Sequence, residues 1–204
     1  MSIAGRQANF SQEGVRVSRA RTIVQASAIA AAYGALTIVT LNFMHMLAWG
    51  PIQFRVSEAL TVLAFFTPAA IPGLAAGSVL ANLFVYAKSG NSAVLLDVVF
   101  GSLGTLLGAW WMWRFRSRTW LGLLGPVVTN ALVVPTYLPF LLRSYGLTEI
   151  PVLGLSLGGS RLPMYLELVL TVGMGEAAVV YGLGLPLLLA LRRAGLAGRL
   201  ADAG

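Results

Sequence analysis

The chain has 204 residues, of which 57% are hydrophobic and only 10% are charged, and its formal net charge is +7. A soluble domain carries about 25% charged residues, so this composition excludes a water-exposed globular surface and predicts a single domain that crosses a lipid bilayer several times. The absence of cysteine and the presence of one histidine exclude disulfides, thiolate metal sites and histidine-rich metal centres. We expect no cofactor.

Arginines cluster at three places, each next to the end of an apolar run: residues 16–21, 114–118 and 192–199. Positive charge at helix ends marks cytoplasmic loops, so this distribution favours membrane topology and lipid-headgroup contact over nucleic-acid binding. We expect residues 1–21 to form a loose, polar cytoplasmic tail. Residues 22–192 are predicted to form one membrane domain, and residues 193–204 a second cytoplasmic tail.

Five long apolar stretches follow the first tail, at residues 22–47, 57–87, 93–113, 120–142 and 163–191. The arginine clusters require an even number of crossings between Arg21 and Arg114. As one helix, residues 57–87 would be about 45 Å long against a hydrocarbon core of about 30 Å, and Pro68 and Pro72 interrupt them. We therefore predict an all-α bundle of six transmembrane helices, two of them short and separated by a turn at residues 67–72, with both termini cytoplasmic.

Small residues form two stripes on the first predicted helix, where every fourth position is small. The stripes are Ala26, Ala30 and Gly34, and Ser27, Ala31 and Ala35. Such stripes let a second helix approach closely in lipid. Two interpretations stay open, namely packing within this bundle and a docking face for a separate membrane subunit.

The most polar part of the membrane domain is the segment GPIQFRVSEAL, residues 50–60. It contains Gln53, Arg55 and Glu58, and its aromatic neighbours Trp49 and Phe54 offer flat faces to a planar solute. Arg55 and Glu58 are three residues apart, so they can also pair on one helix face without any solute.

Amide and carboxylate side chains recur in the later spans, as Asn82, Asp97, Asn130 and Glu176. Charged groups inside a bilayer are costly and usually mark a solute pathway, a ligand site or a partner. Structural roles stay open as well, since Asp97 can cap a helix and the asparagines can join helices by hydrogen bonds. Together with Glu58, these residues predict one outward-opening cavity for a cationic or donor-rich solute, with Tyr137 as a further aromatic surface.

Five segments carry a resemblance to a known family: residues 50–60 (GPIQFRVSEAL), 81–84 (ANLF), 95–109 (LLDVVFGSLGTLLGA), 129–132 (TNAL) and 173–188 (GMGEAAVVYGLGLPLL). In this order they resemble the substrate-binding (S) component of energy-coupling factor (ECF) transporters for queuosine precursors. The resemblance covers about residues 28–191.

The resemblance implies a six-helix protein of the cell membrane that binds a vitamin-like solute from outside. It implies association with a transmembrane coupling protein and two ATPase subunits, and Ala31 and Ala35 match the family motif that contacts the coupling protein. The implied solute is a 7-deazaguanine such as 7-aminomethyl-7-deazaguanine, or queuine. The chain itself lacks the Gly-Lys-Ser/Thr ending of a P-loop, so partners would have to bind ATP.

We hypothesise that Glu58 and Glu176 make the acidic contacts to such a solute, with Asp97 as a third, because a carboxylate accepts N–H donors strongly. Asn82 and Asn130 would make amide contacts. Alternatives are an S component for another vitamin-like solute and a stand-alone proton-coupled secondary transporter. We do not expect an enzyme, because the only histidine, His45, lies far along the chain from the serines of the glycine-rich stretch 153–160.

Overall fold

A computed structural model describes residues 3–43, 54–150, 155–156 and 160–195, with residues 3–18, 149–150 and 155–156 by their backbone alone. Trp49 and Gln53, two of the predicted site residues, lie outside the described residues. The helices are α1 (Ile3–Phe43), a 3₁₀ helix (Val56–Phe65, here the central helix), α2 (Ala70–Ser89), α3 (Val94–Arg114), α4 (Thr119–Val133), α5 (Leu138–Ser144) and α6 (Arg161–Arg193). Two-residue strands, β1 (Glu149–Ile150) and β2 (Leu155–Ser156), pair antiparallel and are a small departure from the all-α prediction.

Five helices in the described part of the chain are long and apolar enough to cross a bilayer. They are Arg19–Asn42 within α1, α2, α3, Thr119–Thr136, and α6. This confirms a polytopic helical membrane fold. The central helix is apolar but has ten residues, which at a 3₁₀ rise of about 2 Å per residue gives about 20 Å, less than the hydrocarbon thickness. A sixth crossing therefore depends on this short helix.

The chain turns between the central helix and α2 at residues 66–69, which overlap the predicted turn at residues 67–72, and Pro72 lies in the first turn of α2. The Thr67 hydroxyl donates to Gln25 Oε1 at 3.0 Å, and the Arg192 guanidinium lies 5.5 Å from the centre of the Phe65 ring. The turn therefore lies at the end of the bundle that carries the arginines.

The opposite end of the bundle is joined by its own polar contacts. Lys88 Nζ donates to Asn42 Oδ1 at 2.8 Å, and Asn91 Nδ2 donates to Ser144 Oγ at 2.8 Å. These contacts place the end of α1, the end of α2 and the end of α5 at the same level. Helix α1 therefore runs toward this end, the central helix runs away from it, and α2 runs toward it again.

The central helix lies in the middle of the bundle and contacts α1, α2, α3, α4 and α6. Ser57, Glu58 and Thr61 on it have exposed fractions of 1% or less. A π-helical turn in α6, Val180–Gly184, packs against it, and a Cβ at Gly184 would lie 3.1 Å from Val62 Cγ1. Polar residues of this helix are therefore held inside the protein and away from lipid.

Helix α1 begins earlier in the chain than the sequence predicted. It begins at Ile3 and runs for 41 residues, so the expected loose tail is wrong for the backbone of residues 3–21. The polar residues of the tail continue the helix of the first span instead of ending it.

The stripe Ala26, Ala30 and Gly34 packs inside the bundle, which corrects its assignment as a partner-docking face. A Cβ at Gly73 would lie 2.7 Å from the Ala26 carbonyl oxygen, and one at Gly77 would lie 2.7 Å from the Ala30 carbonyl oxygen. The second stripe, Ser27, Ala31 and Ala35, is exposed. Of the two open interpretations, packing within the bundle therefore applies to the first stripe.

Substituting alanine for Gly77 is expected to lower the free energy of unfolding by about 1–3 kcal/mol, the usual range for overpacking. The added methyl group would meet backbone atoms of α1, which cannot move as a side chain can. Thermal unfolding in detergent measures the change. Gly182→Ala is the matched control because a Cβ there meets no atom within 4 Å, and equal stability of the two variants would contradict the close helix contact.

Candidate functional site

A cavity opens between α1, the start of the central helix, α2 and α3, toward the end away from the arginines. Its volume is about 520 Å³, counted with the part open to the outside. The lining residues are Tyr33, Thr37, Thr40, Leu41, Phe54, Arg55, Val56, Ser57, Ser78, Ala81, Asn82, Val85 and Asp97. More than half of them are polar, which is unusual for a lipid-embedded bundle and indicates a site for a polar solute.

Asp97 joins three other segments at the rim of this cavity. Its Oδ1 accepts from Arg55 Nη2 at 2.8 Å and from the Tyr137 hydroxyl at 2.5 Å. Its backbone carbonyl accepts from Asn82 Nδ2 at 3.0 Å. Of the structural roles that the sequence left open, helix capping by the Asp97 side chain is wrong, and the interhelical hydrogen bond of Asn82 is confirmed.

The local backbone explains how Asp97 reaches these partners. Asp97–Gly101 forms a π-helical turn within α3, a feature that often occurs at functional sites. A Cβ at Gly101 would collide with Asp97 Oδ1 and lie 3.0 Å from the Tyr137 hydroxyl. Glycine at this position therefore leaves room for the ion pair and for the tyrosine.

Glu58 lies behind the cavity wall and is fully buried. Its Oε1 accepts from the Tyr33 hydroxyl at 2.5 Å and from Thr105 Oγ1 at 2.7 Å. Its Oε2 has no hydrogen-bond partner among the described residues. Of the alternatives that the sequence left open, pairing of Arg55 with Glu58 on one helix face does not apply, because Arg55 forms its ion pair with Asp97.

Asn130 and Glu176 form a second buried polar pair. Asn130 Nδ2 donates to Glu176 Oε1 at 3.1 Å, while Asn130 Oδ1 has no partner in the described part of the chain. That oxygen occupies the space that a side chain at Gly104 would fill.

The predicted site residues are thus brought together in two layers. The outer layer, which lines the cavity, contains Phe54, Arg55, Asn82 and Asp97. The inner layer contains Glu58, Asn130 and Glu176, none of which lines the cavity. Tyr137 lies behind Asp97 and stacks on Phe100 with ring centres 5.9 Å apart.

Several polar residues of the site were not singled out from the sequence: Tyr33, Thr37, Ser78 and Thr105. A signal was present, because Tyr33 and Thr37 are four residues apart, as are Ser78 and Asn82. Polar residues at this spacing share one face of a helix. In an apolar span such a face must point into the protein.

Comparison with known proteins identifies the family to which this chain belongs. The sequence profile of a family described as "QueT transporter" matches residues 23–193. The protein named "Queuosine precursor transporter QueT" from Lactococcus lactis subsp. cremoris (strain MG1363) is 33% identical over 93 residues, which are 46% of this chain and 50% of that protein. The chain spans about half the length of this curated relative. No solved structure matches the chain. With a family match over most of its length and five helices able to cross a bilayer, the chain is a multi-pass membrane protein that belongs to the QueT transporter family.

Proposed function

We propose that the protein is the substrate-binding S component of an ECF-type, ATP-driven importer of a queuosine precursor. The solute is a 7-deazaguanine such as 7-aminomethyl-7-deazaguanine, or queuine. The observation that carries the proposal is the polar cavity within a member of a transporter family. The name of the relative from Lactococcus lactis, a queuosine precursor transporter, supports the choice of solute.

The chemistry of the two layers suits such a ring. A deazaguanine presents N–H donors and one carbonyl acceptor, and an aminomethyl substituent adds a positive charge. Carboxylates accept those donors and balance that charge, while arginine and asparagine donate to the carbonyl. Arg55, Asn82 and Asp97 would meet the solute first, Phe54 would stack on it, and Glu58, Asn130 and Glu176 would bind it at greater depth.

The topology of the proposal has six crossings, with the central helix as the short one and both termini in the cytoplasm. The alternating direction of α1, the central helix and α2 supports it, as does the position of the turn at residues 66–69 beside Arg192. In this orientation the arginine-rich end is cytoplasmic and the cavity opens to the outside. The solute would therefore be captured from the external medium.

A membrane-embedded coupling protein would dock on the exposed stripe of α1. Ser27, Ala31 and Ala35 present small side chains outward on a helix that is largely uncovered. A second helix approaches most closely over such residues in lipid. Two ATPase subunits would then supply the energy for uptake.

The function is tested by titrating the purified protein with 7-aminomethyl-7-deazaguanine in a calorimeter, in the absence of ATP. We expect saturable binding of one solute per chain. Heat with another vitamin-like solute, and none with deazaguanines, would assign the protein to an S component of different specificity. Uptake into vesicles that lack ATPase subunits, lost when the proton gradient is dissipated, would instead support a secondary transporter.

Substituting tryptophan for Ala31 or Ala35 is expected to reduce ATP-driven uptake by about tenfold or more, because a large side chain prevents close helix approach. Solute binding by the isolated protein should not change, since both residues lie away from the cavity. The matched control is Leu170→Trp, at a position on α6 that is 62% exposed. Equal uptake by all three variants would rule out this docking face.

A further inference from the structure

The hydrogen bonds of the Glu58 carboxylate are unevenly distributed. Oε1 accepts two hydroxyl donors, from Tyr33 and Thr105, at 2.5 and 2.7 Å. Oε2 is buried and has no donor in the described part of the chain. A buried acceptor without a donor is unfavourable, so this carboxylate is arranged to take a further donor that the described residues do not supply.

A carboxylate binds a planar pair of N–H donors through both of its oxygens, one donor to each. To bind in this way, Glu58 must use Oε2 and must free a lone pair on Oε1 that points along the same edge. One of the two hydroxyls on Oε1 therefore has to leave when such a pair of donors arrives.

The two hydroxyls differ in their relation to the cavity. Thr105 is fully buried, also lies within 3.3 Å of the Gly101 carbonyl oxygen, and does not line the cavity. Tyr33 lines the cavity, and its hydroxyl donates to Glu58, so this hydrogen bond connects a cavity-lining residue with the buried carboxylate. A solute entering from the cavity therefore meets the Tyr33 contact first.

We propose that Tyr33 occupies the Glu58 carboxylate in place of the solute, and that a solute edge with two adjacent N–H donors displaces the tyrosine hydroxyl and binds both oxygens of Glu58. This inference rests on the proposed function, and in a deazaguanine the edge is the ring N–H together with the 2-amino group. Tyr33 is thus a competitor for Glu58 and not a solute ligand. Thr105 stays on Oε1 and holds the carboxylate in position.

The test compares the affinities of the wild type and Tyr33→Phe for 7-aminomethyl-7-deazaguanine, measured by calorimetry on the full chain in detergent. Removing the competing hydroxyl is expected to tighten binding by about tenfold, the size expected from one hydrogen bond to a charged group. Thr37→Val is the matched control, since Thr37 lines the same cavity one turn away and its hydroxyl contacts Ser57 and the Tyr33 carbonyl. No tightening is expected there.

A second measurement needs no variant. The wild type should bind the analogue without the 2-amino group at least about tenfold more weakly, because Oε2 or Oε1 then lacks its donor. Weaker or unchanged affinity in Tyr33→Phe, or equal affinity of the wild type for both solutes, overturns the displacement while leaving the proposed function intact. Failure of the wild type to bind any deazaguanine overturns the proposed function and the displacement together.

Discussion

Asp97→Asn is expected to lower the free energy of unfolding by about 3–5 kcal/mol, the range for breaking a buried ion pair by removing one partner. The substitution keeps the shape of the side chain but leaves the guanidinium of Arg55 without its carboxylate. The two side chains are 18% and 6% exposed, so water cannot replace the lost partner fully. Chemical or thermal unfolding of the purified protein in detergent measures the change.

The double variant Arg55→Met with Asp97→Asn separates the effect on stability from the effect on binding. Removing both charges eliminates the unpaired buried cation, so stability should return to near that of the wild type. Solute affinity should be lower than that of the wild type in both the single and the double variant, since Arg55 and Asp97 line the cavity. Recovery of affinity together with stability would show that the pair supports the fold without contacting the solute.

The break before α2 could be predicted because it depends on local chemistry. Proline at position 68 cannot donate a backbone hydrogen bond and disfavours helix at the residue before it. The polar segment at residues 50–60 was identifiable for a similar reason, since ionisable groups in an apolar sequence are costly and must be held inside the protein. Both features can be predicted from residues that are neighbours in the sequence.

The pairing within the site could not be predicted because it depends on packing between distant segments. Arg55 and Asp97 are separated by 42 residues, and their contact requires the π-helical turn at Asp97 and the missing side chain at Gly101. That Arg55 pairs with Asp97, and not with Glu58 three residues along the chain, is likewise a tertiary effect. The division of the site into a cavity-lining layer and an inner layer likewise depends on how the helices pack, because Glu58 is buried and does not line the cavity although its neighbours Arg55 and Ser57 do.

Replacing either inner carboxylate with its amide, as Glu58→Gln or Glu176→Gln, is expected to weaken binding of 7-aminomethyl-7-deazaguanine by about 1.5–3 kcal/mol, the net contribution of a hydrogen bond to a charged group. Glutamine keeps the length of the side chain but replaces one acceptor oxygen with a donor, which opposes an N–H group of the solute. Glu58 should show the larger loss, because its hydrogen-bond partner Tyr33 lines the cavity, whereas Asn130, the partner of Glu176, does not. The control is Glu167→Gln on α6, a buried carboxylate that does not line the cavity, and its solute affinity should be that of the wild type. Calorimetric titration of the three variants measures these affinities. Unchanged affinity in both Glu58→Gln and Glu176→Gln would show that the inner layer supports the fold and that the residues of the outer layer recognise the solute.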